Sequence, residues 1–318
     1  MTEPTSPVSG VDYSLRADGY EAHIASVGAT LRVLRHDGRD LIVPFDADEV
    51  RPDYRGATLA PWPNRVVGGT YTFDGAEYVT PLTEPERSQA LHGLAAWLDF
   101  ALVSRTESEV TLAAVIQPQT GYPWRVRVET TYALAADGLT QTVCATNESG
   151  GSAPFGTGPH PYLIAGPAPL DEWTLALPAA SVLEVTPDRL SPVRLHPVDA
   201  HEPGRFDRRV ARPLGDVQLD HAFTDIETDA AGLAVLRVTD PSGVGVEVAW
   251  GPECPWVQVY TGDKHGGPAN PSHRLGMAVE PMTCAPDAFN ADRYDYDAGL
   301  IVLESGVTFS ASWRIGAI

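Results

Sequence analysis

Hydrophobic and polar residues alternate along much of this chain with a period of two. In "WRVRVETTYAL", Val126, Val128, Thr130, Tyr132 and Leu134 fall on one face of an extended segment, and mostly charged residues fall on the other. Successive side chains of a β-strand point to opposite faces, so this alternation predicts a strand with one buried face.

Turn-forming pairs separate the alternating segments. The Asp-Gly pair at residues 137–138 predicts a β-hairpin, and similar turns are predicted at residues 74–75 and 305–306. Two more strands are predicted on either side of residues 241–243, whereas helical signals are limited to one or two turns within "PERSQALHGLAAW". Strands and turns at this density, without alternating helices, predict an all-β fold, either a sandwich or a barrel.

Length and composition favour one large soluble domain. The chain has 318 residues, of which 43% are hydrophobic and 20% charged, as is usual for globular proteins. A chain of this size buries roughly 75% of the surface that it exposes when unfolded, so its core needs no disulfide or metal. A single domain is predicted at residues 10–318, after a loosely held segment at residues 1–9. No run of about 18 apolar residues predicts a membrane span.

The net charge narrows the classes of partner. With 42 acidic and 22 basic residues, the formal charge is −20. Binding to nucleic acid rests on Lys and Arg side chains that neutralise phosphates, so neither nucleic acid nor an anionic membrane surface is expected as a partner. The acidic residues are spread along the chain, where they favour solubility. Lys264 is the only lysine in the sequence.

The cysteines and the first residues bear on the cellular compartment. Cys144, Cys254 and Cys284 are odd in number, form no CxxC motif and stand within or beside apolar segments. Free thiols in a reducing compartment are therefore expected. The opening residues "MTEPTSPVSG" lack the basic and apolar parts of a secretory signal. We expect a cytoplasmic protein.

Two residues are candidates for acid–base chemistry. Glu280 in "AVEPM" follows apolar residues as at the end of a strand, with Pro281 expected to interrupt the ladder, and a partly desolvated carboxylate there would be a stronger base than one in water. His160 lies among glycines and prolines in "GTGPHPYL", and imidazole exchanges protons near pH 7. Both also fit structural roles, as a solvated strand-end glutamate and as a turn histidine bonded to the backbone.

Other polar residues stand in segments suited to ligand binding. His92 precedes a glycine in "ALHGL", which suggests a close backbone approach, and the guanidinium of Arg65 after Asn64 suits hydroxyl or carboxylate ligands. Asp220 in "LDHAFT" is suited to accepting hydrogen bonds from hydroxyls. The structural alternatives are a core histidine, a surface ion pair and a turn cap.

Aromatic and metal-binding candidates are less specific. Trp62, Trp256 and Tyr260 are suited to stacking on a flat ligand, although most aromatic residues of a β protein belong to the core. His92, His160, His221 and Glu280 are scattered without the close spacing of metal ligands, so no metal or other cofactor is expected.

Six segments taken together resemble the aldose 1-epimerase family, the galactose mutarotases. They occur in the family's order over roughly residues 55–290, and they read "PNRVVGGTYTFDGAEY", "ALHGL", "GPHPYL", "LDHAFT", "WVQVYTGD" and "AVEPMTCAPDAFN". The resemblance implies a large antiparallel β-supersandwich and cofactor-free interconversion of the α and β anomers of a free aldose.

The resemblance also implies roles for individual residues. Glu280 matches the glutamate that takes the proton from the C1 hydroxyl, and His160 matches the histidine that protonates the ring oxygen. The implied sugar-binding residues are Asn64, Arg65, His92, Asp220 and Gln258.

Departures from the family pattern leave the sugar open. "LAPWPNRV" and "YLIAG" differ from the usual galactose mutarotase segments, and Trp62 between two prolines would narrow the pocket. The alternatives are a hexose-6-phosphate mutarotase, although no arginine cluster stands beside the motifs, and a sugar-binding protein without activity. Residues 261–274 are predicted to form a mobile loop at the pocket, and the chain is expected to be a monomer or a homodimer.

Overall fold

Antiparallel β-strands are the main regular element of the computed structural model, which describes residues 7–318. Strands account for 47% of the chain and helices for 7%, which confirms the predicted all-β fold. The first strands are β1 (Asp12–Ala17), β2 (Tyr20–Ala25), β3 (Thr30–His36), β4 (Arg39–Asp40), β5 (Thr58–Leu59), β6 (Arg65–Val67), β7 (Thr70–Phe73), β8 (Ala76–Val79) and β9 (Gln89–Leu91).

The remaining strands follow in chain order. The middle ones are β10 (Ala101–Arg105), β11 (Glu109–Ile116), β12 (Val126–Ala135), β13 (Gly138–Asn147), β14 (Ala153–Phe155), β15 (Gly158–Pro159), β16 (Tyr162–Leu163), β17 (Thr174–Ala176), β18 (Ala179–Val185) and β19 (Pro192–Pro197). The last ones are β20 (Arg212–Pro213), β21 (Asp220–Ile226), β22 (Ala234–Thr239), β23 (Gly245–Trp250), β24 (Trp256–Tyr260), β25 (Met277–Met282), β26 (Ile301–Leu303) and β27 (Thr308–Ala317).

Helices are short. Within residues 7–318 the only α-helical turn is α1 (Pro203–Phe206), and the 3₁₀ turns are Pro52–Tyr54, Pro85–Arg87, Leu170–Glu172, Gly267–Ala269 and Ala288–Arg293. The turn at Pro85–Arg87 is all the helix that forms in "PERSQALHGLAAW". In the part of the chain that the structure describes, no helix has the length and apolarity to cross a membrane.

Two large sheets organise the molecule. One has nine strands in the order β10-β11-β12-β13-β27-β23-β22-β17-β20, and the other has six in the order β16-β25-β24-β21-β18-β19. A four-stranded sheet of β1 to β4 and several two-stranded pairs complete the architecture. Strands distant in sequence thus become neighbours in each large sheet.

The alternation in β12 is confirmed. Val126, Val128, Thr130, Tyr132 and Leu134 are all buried, whereas the residues between them are partly exposed. The buried face contributes to the main hydrophobic core, so hydrophobic burial fixes the register of this strand.

The predicted hairpins form at three of the four turns. β12 pairs with β13 across residues 136–137, β7 with β8 across residues 74–75, and β22 with β23 across residues 240–244. The prediction at residues 305–306 is wrong as a hairpin, because β26 pairs with β14 while β27 joins the nine-stranded sheet. The turn itself forms, but burial against distant strands decides the pairing.

Two remaining expectations concern the first residues of the chain and the cysteines. Residues 1–6 of the predicted loose segment lie outside the described residues, and Ser9 at its end is buried and donates hydrogen bonds to the Ala47 carbonyl. All three cysteines are free, with Cys254 and Cys284 buried and Cys144 partly exposed.

Candidate active site

The seven site residues predicted from the sequence line one cavity of about 250 Å³. They are Asn64, Arg65, His92, His160, Asp220, Gln258 and Glu280. Residues spread over more than 200 positions of the chain therefore meet at one place.

The six-stranded sheet forms the floor of this cavity. Residues paired across antiparallel strands share a face, so each row of paired residues presents its side chains together. One row crosses β16, β25, β24 and β21, and it consists of Tyr162, Ala278, Tyr260 and Asp220. The next row on the same face pairs Glu280 with Gln258.

Glu280 lies within a strand, not at its end. Pro281 pairs with Val257, so β25 continues through the proline and the expected interruption is wrong. The amide of Val279 donates to Pro161 on the side of β16, and two residues later the proline faces the same side beyond the end of β16. The amide of Thr283 donates to Thr157 further along, so the segment before β16 runs beside β25 and the proline leaves out only the one donor between these two bonds. The Glu280 side chain is consequently 2% exposed inside the cavity.

His160 is carried by the segment between β15 and β16. A Cβ on Gly158 would lie 2.8 Å from the carbonyl oxygen of Pro281, so glycine allows this segment to approach β25 closely. His160 Nε2 lies 3.5 Å from Glu280 Oε1. The glycine of "GPHPYL" thus serves close packing, which brings the imidazole to the carboxyl group.

Burial sets the protonation of this pair. Burial, reinforced by the charge of Asp220 and opposed by that of Arg65, raises the pKa of Glu280 well above its ordinary range. Burial lowers the pKa of His160 to about 3. Between these limits the two groups hold one proton between them, and it resides on the carboxyl group.

His92 stands beside His160, with ring centroids 4.8 Å apart. Its Nδ1 accepts a hydrogen bond from the amide of Asn64, and burial keeps its pKa well below the ordinary value, so the ring is neutral. The close approach predicted at the following residue is confirmed, because a Cβ on Gly93 would lie 2.3 Å from the carbonyl oxygen of Ala60.

Arg65 forms a buried ion pair in place of the surface pair that was the alternative. Its Nε and Nη2 donate to the two carboxylate oxygens of Glu84 at 2.7 and 3.0 Å, and both residues are buried. Arg87 donates to the same carboxylate at 2.7 Å. A bidentate pair holds the guanidinium plane in one orientation. Arg65 Nη1 donates to Asn64 Oδ1 at 3.4 Å, and the N–H groups that remain are available to a ligand.

Among the buried polar atoms of the lining residues, His160 Nδ1, Gln258 Oε1 and Glu280 Oε2 have no hydrogen-bond partner within residues 7–318. The amide nitrogen of Gln258 is occupied, since it donates to Asp220 Oδ1 at 2.7 Å. Buried polar atoms are nearly always hydrogen-bonded, so these three atoms are available to a polar ligand.

The aromatic candidates divide between cavity and core. Tyr260 lines the cavity. Trp62 is buried in the core against Tyr122 and Phe289, so the expectation that it narrows the pocket is wrong. Trp256 also packs in the hydrophobic interior.

Sequence reasoning missed several wall residues. They are Asp53, Tyr54, Glu84, Arg87, Tyr162 and Lys264. Of these, only Tyr162 belongs to a motif identified for its chemistry, since it is the fifth residue of "GPHPYL". The one signal was compositional, because Lys264 is the only lysine and lies in the loop at residues 261–274 that was predicted to border the pocket.

The cavity also contains more cations than expected. Arg65, Arg87 and Lys264 line it, although no arginine cluster is visible in the sequence. Each is paired with an acid, the two arginines with Glu84 and the lysine with Asp53. The two arginines share one carboxylate, so of these three cations only the lysine is matched by an acid of its own.

The wide spacing of the candidate metal ligands in the sequence is misleading, because three of them meet in the structure. Ligand atoms of His92, His160 and Glu280 lie within 4.8 Å of one another, which is a possible donor set. His221 lies apart from them, in an adjoining cavity. The scatter of these residues along the chain does not by itself exclude a metal.

Comparison with solved structures identifies the fold. The GalM/aldose epimerase homologue from C. elegans superposes with a TM-score of 0.81 at 21% identity, covering 97% of this chain and 99% of that one. Galactose 1-epimerase from Lactobacillus acidophilus superposes with a TM-score of 0.77 at 17% identity, covering 96% and 94% of the two chains. The molecule has the galactose mutarotase-like fold, as the sequence resemblance predicted.

Sequence comparison gives the family. The aldose 1-epimerase family profile matches residues 12–316. The uncharacterised protein YihR of Escherichia coli is 36% identical over 299 residues, which cover 94% of this chain and 90% of YihR. The chain belongs to the aldose 1-epimerase family.

Proposed function

We propose that this protein is an aldose 1-epimerase that interconverts the α and β anomers of a free aldose. The observation that carries the proposal is the distance of 3.5 Å between His160 Nε2 and Glu280 Oε1 inside a buried cavity. An acid and a base at this spacing suit a reaction that removes one proton from a sugar and adds another at the neighbouring oxygen.

The proposed cycle conserves protons within the pair. When a cyclic sugar binds, the shared proton moves to His160 and Glu280 becomes the base. Glu280 takes the proton of the C1 hydroxyl, His160 gives its proton to the ring oxygen, and the bond between C1 and that oxygen breaks. Rotation about the C1–C2 bond turns the aldehyde, and closure on the other face returns both protons.

The surrounding residues supply the binding groups. Asp220 and Gln258 are joined by a hydrogen bond and offer acceptor oxygens to hydroxyl groups. Arg65 and Asn64 offer donors and acceptors beside them, and His92 approaches the ring oxygen next to His160. A set that mixes donors and acceptors suits adjacent hydroxyl groups of a sugar.

The charge of the cavity favours an uncharged sugar. The acidic lining residues are Asp53, Glu84, Asp220 and Glu280, and the basic ones are Arg65, Arg87 and Lys264. With Glu280 protonated, a phosphate dianion would enter a wall where the three remaining acids match the three bases, and each base is already paired with an acid. This balance argues for a free aldose over a sugar 6-phosphate.

Polarimetry and NMR exchange between anomers test the proposal on a panel of free aldoses and sugar 6-phosphates. The parent protein should accelerate mutarotation of at least one free aldose, and Glu280→Gln and His160→Asn should each remove most of the acceleration. Glu77→Gln, at an exposed position, is the matched control and should keep the full rate. Sugar binding without acceleration by the parent would instead identify a non-catalytic sugar-binding protein.

A further inference from the structure

The only lysine of the chain stands in the cavity wall. Lys264 Nζ lies 2.8 Å from Asp53 Oδ1, and its side chain is 17% exposed. Arg55 approaches the other oxygen of the same carboxylate at 3.6 Å. This Asp53–Lys264 pair joins two loops on one side of the cavity, and none of the chemistry proposed above uses it.

The pair lies on the His160 side of the cavity. Lys264 Nζ is 5.4 Å from the ring centre of Tyr260 and 6.0 Å from that of Tyr162. The His160 ring is stacked on Tyr162 with centroids 5.4 Å apart. The ammonium group therefore stands over the same tyrosine that supports the imidazole.

Different charged residues act on His160 and on Glu280. After burial, the charges that act on the pKa of His160 include those of Asp53 and Lys264. After burial, the charge of Asp220 has the largest effect on the pKa of Glu280. Asp220 is hydrogen-bonded to Gln258, which pairs with Glu280 across the sheet, whereas Lys264 stands over Tyr162, on which the imidazole is stacked.

Given the proposed function, the connectivity of a pyranose fixes how the sugar ring is oriented in this cavity. C1 is bonded to the ring oxygen and to C2, and the ring oxygen is bonded to C1 and to C5. With the C1 hydroxyl at Glu280 and the ring oxygen at His160, C2 faces Gln258 and Asp220. C5 and its substituent C6 then face the Asp53–Lys264 pair.

We propose that Asp53 and Lys264 recognise the C6 hydroxyl group of an aldohexose and so determine the substrate class. The ammonium group donates a hydrogen bond to the hydroxyl oxygen, and the carboxylate accepts one from the hydroxyl proton. Because donor and acceptor neutralise each other, the pair suits a neutral hydroxyl group better than a phosphate or a carboxylate.

The backbone at this place supports a functional role. Asp53 and Tyr54 are consecutive non-glycine residues in the left-handed region, with φ of 49° and 55°. Such conformations are unfavourable and are retained where the surrounding structure holds them, often at functional sites. Here they direct the carboxylate of Asp53 and the ring of Tyr54 into the cavity wall.

Matched sugars isolate the C6 hydroxyl group. The parent protein is assayed by NMR exchange with glucose and 6-deoxyglucose, and with galactose and 6-deoxygalactose. Loss of a hydrogen bond to a charged group is expected to make kcat/KM for the preferred hexose about 10-fold or more higher than for its 6-deoxy counterpart.

Variants of the pair should abolish this preference. Lys264→Met should lower kcat/KM for the hexose by about 10-fold and for the 6-deoxy sugar by less than about 3-fold, so that the two become similar. Asp53→Asn, which tolerates the left-handed backbone, should act in the same direction. Lys264→Arg keeps the charge and should restore part of the preference, and thermal unfolding checks that each variant is folded.

The outcomes separate this inference from the proposed function. Equal loss of rate for both sugars of a matched pair would overturn it and identify a positioning role for the ion pair. If the variants lose rate only with hexuronates or hexose 6-phosphates, the ion pair is part of an anion site and the inference is overturned. Absence of acceleration by the parent on every sugar would refute the proposed function itself.

Discussion

Glutamine at position 280 would remove a base while keeping the shape of the side chain. Glu280 is 2% exposed, with one oxygen 3.5 Å from His160 Nε2 and the other unpartnered within residues 7–318. An amide cannot take the proton of the C1 hydroxyl group. General-base catalysis contributes about 10²- to 10⁴-fold, so the Glu280→Gln variant should lose at least about 100-fold in kcat/KM.

The same change should stabilise the protein in a pH-dependent manner. Below the ordinary pKa of 4.5 the carboxyl group is protonated in both the folded and the unfolded chain. As pH rises above that value the unfolded chain releases the proton, while burial keeps it bound in the folded protein. The wild type therefore loses about 1.4 kcal/mol of unfolding free energy per pH unit until the raised pKa is reached. The glutamine variant has no such loss.

Rate and stability are measured on the same two proteins. Background-corrected polarimetry gives the rate, and scanning calorimetry at several values between pH 4 and pH 8 gives the difference in Tm, at about 2 °C per kcal/mol or less for a chain of this size. Retention of more than about 10% of the acceleration would refute Glu280 as the base. A Tm difference that stays constant with pH would refute the raised pKa.

Three further expectations follow from the geometry. Acceleration should be level between the pKa of about 3 at His160 and the raised pKa of Glu280, and loss of acceleration on acidification with a midpoint near the ordinary histidine value of 6.5 would contradict the shared proton. Glu84→Gln should lower the unfolding free energy by about 3 kcal/mol in urea titrations, because it leaves a buried guanidinium incompletely paired, and an unchanged midpoint would contradict this. Gly158→Ala places a Cβ 2.8 Å from a backbone oxygen of β25 and should lower kcat/KM by about 10- to 100-fold, whereas Gly150→Ala meets no atom within 4 Å and should have no effect.

Strands could be predicted from the sequence where the local pattern of residues and the packing of the whole fold require the same structure. The alternation in β12 reports a half-buried strand directly, because each apolar residue must face the core. The expectation that Pro281 interrupts the strand was wrong because a proline removes only one N–H group. Whether that group is needed depends on the neighbouring strand. The turn at residues 305–306 forms without a hairpin because a turn signal in the sequence does not specify which strands will pair.

The site was predictable only in part. Glu280 and His160 are 120 residues apart (280 − 160), and their residue types gave no reason to expect contact until the family resemblance ordered the motifs. Asp53 and Lys264 could not be predicted, because their ion pair depends on how two irregular loops approach each other across the cavity. Loop conformation of this kind leaves little periodic signal in a sequence.

The single lysine has a practical consequence for work on this protein. Apart from the amino terminus of the chain, Lys264 offers the only primary amine, and it stands in the wall of the cavity. Amine-directed reagents therefore attach a label to one side chain of the protein without any engineered residue. A fluorophore or an isotope introduced in this way would report on occupancy of the cavity from a position 2.8 Å from the carboxylate of Asp53.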